Sequence, residues 1–83
     1  MASSTPVLKK SSKGEAVTRL QQGLHQLGYD AGAVDGIFGP NTERAVKEFQ
    51  TNNGLEADGV VGPKTWTALE EAFTSQRSES QGG

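Results

Sequence analysis

Cysteine is absent from this 83-residue chain, which excludes a disulfide framework, a thiolate nucleophile and any Cys-based zinc or iron–sulfur site. The single histidine, His25, cannot build a two-His metal site without help from carboxylates. No apolar run approaches the roughly 18 to 20 residues of a membrane helix, so no membrane contact is expected. The first ten residues, Met1 to Lys10, contain no signal-peptide core. As written, the chain is expected to be made in and stay in the cytosol unless another route exports it. Charge of one sign is also lacking: eight basic and ten acidic residues leave a net charge of −2, against a nucleic-acid binder that relies on a basic face. With 33% hydrophobic residues and only five aromatics, the chain has material for one small core and no second domain.

Glycine is plentiful by contrast, at eleven residues, and it belongs to a repeat. Asp35-Gly36-Ile37-Phe38-Gly39-Pro40-Asn41-Thr42-Glu43-Arg44-Ala45-Val46 recurs 23 residues later as Asp58-Gly59-Val60-Val61-Gly62-Pro63-Lys64-Thr65-Trp66-Thr67-Ala68-Leu69, with six of twelve positions identical. A fainter echo joins Ala16-Val17-Thr18-Arg19-Leu20-Gln21 to Ala45-Val46-Lys47-Glu48-Phe49-Gln50. Residues 1–6 and 74–83 are polar and lack apolar anchors, so both read as disordered tails around a packed domain over 7–73.

Period and punctuation predict an all-α fold, a compact three-helix bundle joined by two Asp-Gly-x-x-Gly-Pro loops. Val17, Leu20, Leu24 and Leu27 make one helical stripe, which Gly28 ends. Ser12 with Glu15 has the spacing of a capping box for that first helix. The second helix starts at Pro40, buries Ala45, Val46 and Phe49, and stops at Asn53-Gly54. The third starts at Pro63, with Trp66 or its edge, Ala68, Leu69, Ala72 and Phe73 inward. Leu8, Tyr29, Ile37, Phe38, Leu55, Val60 and Val61 are expected to fill the space between helices. In each connecting loop the Asp should accept hydrogen bonds from the backbone that follows, as in an Asx-turn. Placed side by side, the two turns could line one shallow groove.

The ordered set of residues resembles the type 1 peptidoglycan-binding domain family. It is carried by Leu8, Gly14, Val17, Leu20-Gln21, Leu24, Leu27-Gly28-Tyr29, Asp35-Gly36-Ile37-Phe38-Gly39, Thr42, Ala45-Val46 and Phe49-Gln50. Gly54-Leu55, Asp58-Gly59-Val60-Val61-Gly62, Thr65-Trp66 and Leu69 complete it. One departure is Ser11, which stands where the family usually has a glycine near the start of the first helix. The resemblance implies a three-helix module that recognises bacterial cell-wall glycan or stem peptide, with no cofactor. In such relatives the hydrolytic chemistry sits in a separate domain.

Individual residues carry two readings each. Asp35 and Asp58 have the residue type of a glycosidase carboxylate pair, yet identical placement in two repeats favours turn closure, since catalytic carboxylates need different environments. Tyr29, Phe38 and Trp66 could stack on sugar faces or fill the core. Asn41 and Lys64 hold equivalent first-turn places; Asn41 is a ligand candidate and Lys64 suits a stem-peptide carboxylate. Gln21 and Gln50 read as hydrogen-bonders to a loop carbonyl or as ligand contacts, the structural option being favoured, Thr42 and Thr65 as caps for free helix amides, and His25 as a solvent-facing or rim residue without metal companions. No catalytic or metal set emerges, and Asp-Gly-x-x-Gly-Pro is neither a P-loop nor a dinucleotide fingerprint. The expected function is non-catalytic binding of peptidoglycan, anchoring or targeting a partner to the wall. The alternative is a structural or docking subunit of a phage-tail-like or contractile injection assembly that reuses the fold for protein–protein contact.

Overall fold

Three helices form where period, proline and glycine direct them: α1 (Glu15–Gln26), α2 (Pro40–Asn52) and α3 (Pro63–Gln81). The computed structural model describes residues 7–81, with side chains described through residue 73. Among the described residues there is no strand, only two isolated antiparallel bridges, Leu8 with Val61 and Lys13 with Ile37. The architecture is therefore all-α.

Pro40 and Pro63 each occupy the first helical position, where a missing N–H costs nothing and φ is already suitable. At the other end, α1 and α2 stop in the same way. Tyr29 N–H donates to Leu24 and Gly28 N–H to His25, while Leu55 N–H donates to Gln50 and Gly54 N–H to Thr51. Both are Schellman closures, with Gly28 and Gly54 at positive φ.

The start of α1 differs from the capping box expected there. Its N-cap is Gly14, which gives no side-chain cap, and Glu15 is the first helical residue. Ser12 lies upstream of the cap, and its hydroxyl accepts from the Lys9 N–H at 3.1 Å instead. Local turn formation over residues 9–12 has taken the oxygen that a cap would have used.

That N-terminal segment ties both repeats together. Leu8 exchanges two backbone hydrogen bonds with Val61, at 3.0 and 2.8 Å. Further along, Ser11 N–H donates to Phe38, Phe38 N–H to Ser12 and Gly14 N–H to Gly36. Ser11 takes φ 86° to make this run, the only left-handed non-glycine residue among those described. The preference for glycine there follows from that φ, because a Cβ is crowded in this region.

The core joins Leu8, Val17, Leu20, Leu24, Phe38, Phe49 and Leu69, all nearly fully buried. Ile37 does not join it: it is 49% exposed, contrary to expectation. Alternation along the bridged segment turns Phe38 inward and Ile37 outward. Leu55 and Val60 are only half buried. The backbone of α3 also continues to Gln81, beyond Phe73, where the domain was expected to end and a disordered tail to cover 74–83. Between Thr74 and Gln81 there is no Gly or Pro, so the helical ladder meets no local breaker. The expected tail over 1–6 and the final two residues lie outside the described residues.

Candidate functional site

A buried glutamine organises each Asp-Gly turn. The Gln21 amide nitrogen donates to the Ile37 carbonyl at 2.9 Å and the Thr42 hydroxyl at 3.0 Å, and lies 3.3 Å from Asp35 Oδ1. Its Oε1 accepts from the Gly36 N–H at 3.0 Å. Gln50 repeats the pattern with the Val60 carbonyl at 2.9 Å, Thr65 Oγ1 at 3.2 Å, Asp58 Oδ1 at 3.2 Å and the Gly59 N–H at 3.0 Å. Both glutamines are 1% exposed, and each satisfies loop groups that would otherwise be buried without partners.

The aspartates close the turns from outside. Asp35 Oδ1 accepts from the Ile37 N–H and Asp58 Oδ1 from the Val60 N–H, each at 3.0 Å. Gly36 and Gly59 follow at φ 77° and 76°, conformations that favour glycine. The Ile37 N–H, followed by the Gln21 amide, holds the Asp35 carboxyl below its ordinary value of 3.8, with desolvation acting in the opposite direction. Two carboxylates on matching turns do not make the asymmetric pair that glycosidic acid–base chemistry requires.

The threonines are not helix caps as expected. The Thr42 hydroxyl donates to the Ala31 carbonyl at 3.2 Å while accepting from Gln21. Thr65 Oγ1 accepts from Gln50. In both, the glutamine reaches the hydroxyl first, so the first-turn amides are not its partners.

The two sides of the molecule then diverge. Fourteen residues separate Gln21 from Asp35, but only eight separate Gln50 from Asp58. The longer segment arches over its turn: Ala31 is 1% exposed, and the Gly32 carbonyl takes a hydrogen bond from His25 Nε2 at 2.7 Å. Asp30 Oδ1 closes a small Asx-turn with the Gly32 N–H at 3.1 Å. Gly32 packs closely against Asn41: a Cβ there would sit 3.0 Å from Asn41 Cβ, tighter than ordinary van der Waals contact. The shorter segment has no such arch, and a cavity of about 490 Å³ opens beside the second turn. Leu55, Val60 and Pro63 supply apolar lining, Thr65 a hydroxyl, and Asp58, Glu56 and Lys64 charge.

Of the candidate binding residues, only Asp58 and Lys64 share this cavity. Asp35 and Asn41 are exposed on the arched side and do not border this cavity. Tyr29 is half buried, with its ring edge-on to Phe49 at 5.7 Å and its hydroxyl accepting from Asn52 Nδ2 at 2.9 Å. Phe38, at 1% exposure, presents no face to a ligand; its ring belongs to the core. Trp66, also half buried, borders a separate cleft of about 300 Å³ between α1 and α3, with Arg19, Gln22, Gln26, Glu70 and Phe73. Leu55, Glu56 and Thr65 were not foreseen as cavity residues. Their signal is a shortened interval between two repeated motifs, visible only when the two intervals are compared.

Among the described residues no group of three or more His, Asp or Glu could hold a metal ion. Among the described residues no helix is long and apolar enough to cross a membrane.

Comparison with known proteins agrees with this frame. A protein from Kitasatospora aureofaciens, known only by its place in the bpoA1 3′ region, is 47% identical over 56 residues, covering 66% of this chain and 48% of that protein. The spore cortex-lytic enzyme of Oceanobacillus iheyensis is 40% identical over 55 residues, 66% of this chain and 20% of the enzyme. The chain thus spans about half or less of the length of these relatives. In three dimensions the SleB N-terminal domain superposes with a TM-score of 0.80 at 41% identity, covering 86% of this chain and 97% of that domain. The peptidoglycan binding domain family model matches residues 13–69, from the pinned N-terminal segment to the core leucine of α3, and the chain belongs to that family.

Proposed function

We propose that this domain binds bacterial peptidoglycan without cleaving it and holds a partner at the wall. The observation that carries this reading is the open, mixed-polarity cavity beside the Asp58 turn, in a fold whose relatives include wall-lytic enzymes. Such a cavity offers an apolar floor and a few placed polar groups, the composition that suits a polar polymer bound weakly and reversibly. Weak single-site binding is useful when a tether or a second module supplies avidity. The buried glutamines, which keep the turn carboxylates in hydrogen bonds, support a recognition role for this surface and no bond cleavage.

Co-sedimentation with purified insoluble peptidoglycan tests the reading. The chain should appear in the pellet at low salt, and the supernatant should contain no soluble wall fragments above a protein-free control. Protein that stays in the supernatant, or release of fragments, would contradict it.

A further inference from the structure

Three steps along the chain place a side-chain carbonyl carbon next to the backbone nitrogen of a glycine: Asp35-Gly36, Asn53-Gly54 and Asp58-Gly59. No Cβ shields a glycine nitrogen, so it can attack that carbon and close a cyclic imide. The fold treats the three steps differently. The Gly36 and Gly59 nitrogens are buried and donate at 3.0 Å to the side chains of Gln21 and Gln50. Asp35 and Asp58 are themselves held by the Ile37 and Val60 N–H groups, and an ionised carboxylate is a poor electrophile. Neither of these imides can form without opening a turn.

Asn53-Gly54 stands outside that protection. Both residues are exposed, and the side chain is a neutral carboxamide. They close the C-terminal end of α2, where the Gly54 N–H donates to the Thr51 carbonyl at 3.2 Å and Asn53 Nδ2 to the Phe49 carbonyl at 2.9 Å. The end of α1 has the same backbone closure, but its C-cap is Leu27, which has no such chemistry. In the folded closure Asn53 has ψ 11°, which turns the Gly54 nitrogen over the Asn53 nitrogen and away from Cβ. Ring closure therefore waits for the helix end to open, an event far cheaper than unfolding of the domain.

We propose that Asn53-Gly54 is a self-modification site, gated by opening of the α2 end, whose product loosens the lead into the second turn. The Gly54 nitrogen loses its proton to solvent base and attacks Asn53 Cγ. The Cγ–Nδ2 bond breaks, and the amide nitrogen leaves as ammonia after taking a proton from solvent. Water then opens the imide at either carbonyl, giving an aspartate or a β-linked isoaspartate. No oxidant or reductant is involved.

Both products lose the Nδ2 donor to the Phe49 carbonyl. Both also set a carboxylate against the negative end of the α2 dipole. The isoaspartate adds a methylene to the main chain, which shifts Gly54 and Leu55 out of the closure. Lys64 and Glu71 border the same hollow as Asn53, one charge of each sign, so the helix end decides the balance. Leu55, whose N–H donates to the Gln50 carbonyl at 2.8 Å, is the next residue affected, and it lines the cavity beside the Asp58 turn. This chemistry does not depend on what that cavity binds.

The test is peptide mapping by mass spectrometry of the full chain aged at mildly alkaline pH, folded and in urea. Each rate in the folded chain, compared with the same step in urea, measures how far the fold protects it. Asn53 should be slowed about tenfold, the cost of opening a helix end, and Asp35 and Asp58 by about a hundredfold or more. Asn53→Leu, which copies the α1 closure, should abolish the reaction at this step. In the aged chain, and in Asn53→Asp without ageing, amide exchange at Leu55 should quicken about tenfold, the loss of a hydrogen bond at the helix end. Exchange at Tyr29, its counterpart after α1, should stay unchanged. Equal protection of the three steps, or no slowing of Asn53 on folding, would overturn the gating. Unchanged Leu55 exchange after conversion would overturn the effect on the second turn.

Discussion

The first and second Asp-Gly turns are built from the same parts, yet one is closed and the other open. In each, a buried glutamine holds a glycine N–H, a loop carbonyl and a threonine hydroxyl, and an aspartate caps the turn from outside. The difference lies in chain length before the turn. From Gln21 to Gly28 the chain runs seven residues and from Gly28 to Asp35 another seven, against four and four in the second repeat. Three extra residues extend the helix and three extend the loop. Together they supply Ala31 and Gly32, which cover the first turn. Duplicating a stable turn while shortening its lead is thus a way to obtain a cavity without redesigning the turn.

If the two turns are equivalent in their wiring, removing the glutamine should cost about the same in each. Gln21→Ala and Gln50→Ala each leave a buried glycine N–H and a threonine hydroxyl short of a partner, which should destabilise by about 3 kcal/mol. For a domain of this size that is much of the total stability. Urea denaturation of both variants checks this, and a large loss in only one would break the equivalence.

A smaller effect should separate the turns. Gly36→Ala and Gly59→Ala both force a Cβ into positive φ, at about 1 kcal/mol or more each. At Gly36 the Cβ would also lie 2.9 Å from Thr18 Oγ1, on a short side chain that has little room to move. At Gly59 the nearest atoms are Glu43 Cγ and Lys47 Cε, on long side chains that can move aside. Gly36→Ala should therefore cost about 1 kcal/mol more than Gly59→Ala in the same denaturation experiment.

Ser11 belongs to the segment that pins both turns, so its strain acts on both. Ser11→Gly relieves the left-handed conformation and should raise stability by about 0.5 to 1 kcal/mol, net of the added freedom of the unfolded chain. A fall in the denaturation midpoint would show that the Ser11 side chain matters more than its backbone.

The smallest effect concerns acid. Because the folded Asp35 carboxyl titrates below its ordinary value of 3.8, its contribution is present above that value and is lost as pH falls through the lower folded value. Asp35→Asn should flatten the acid limb of stability in that region and change little at neutral pH. Thermal melts between pH 2 and 5 would show an unchanged limb if the turn does not depend on this carboxylate.

What could be read from the sequence was local. Pro40, Pro63, Gly28 and Gly54 act through their own backbone preferences, so helix starts and stops were legible. The Asx-turn role of Asp35 and Asp58 was legible for the same reason, and so was the glutamines' bond to a loop. Where a distant segment decides, the signal vanished. Ile37 and Phe38 are neighbours of similar character, and only the bridge to Lys13 determines which one faces inward. Ser12 had the right spacing for a cap, but Lys9 claimed its hydroxyl. The cavity was hidden because it comes from residues that are missing from one interval, and an absence has no side chain to notice.

The most direct test compares matched charge changes on the two sides: Lys64→Glu at the open turn and Asn41→Glu at the closed one. Both residues are exposed and occupy the same place in their helices. In sedimentation with insoluble peptidoglycan, Asn41→Glu should remain in the pellet like the unmodified chain, while Lys64→Glu should shift to the supernatant. Equal retention of the two variants, or loss of Asn41→Glu alone, would contradict the assignment of binding to the open turn.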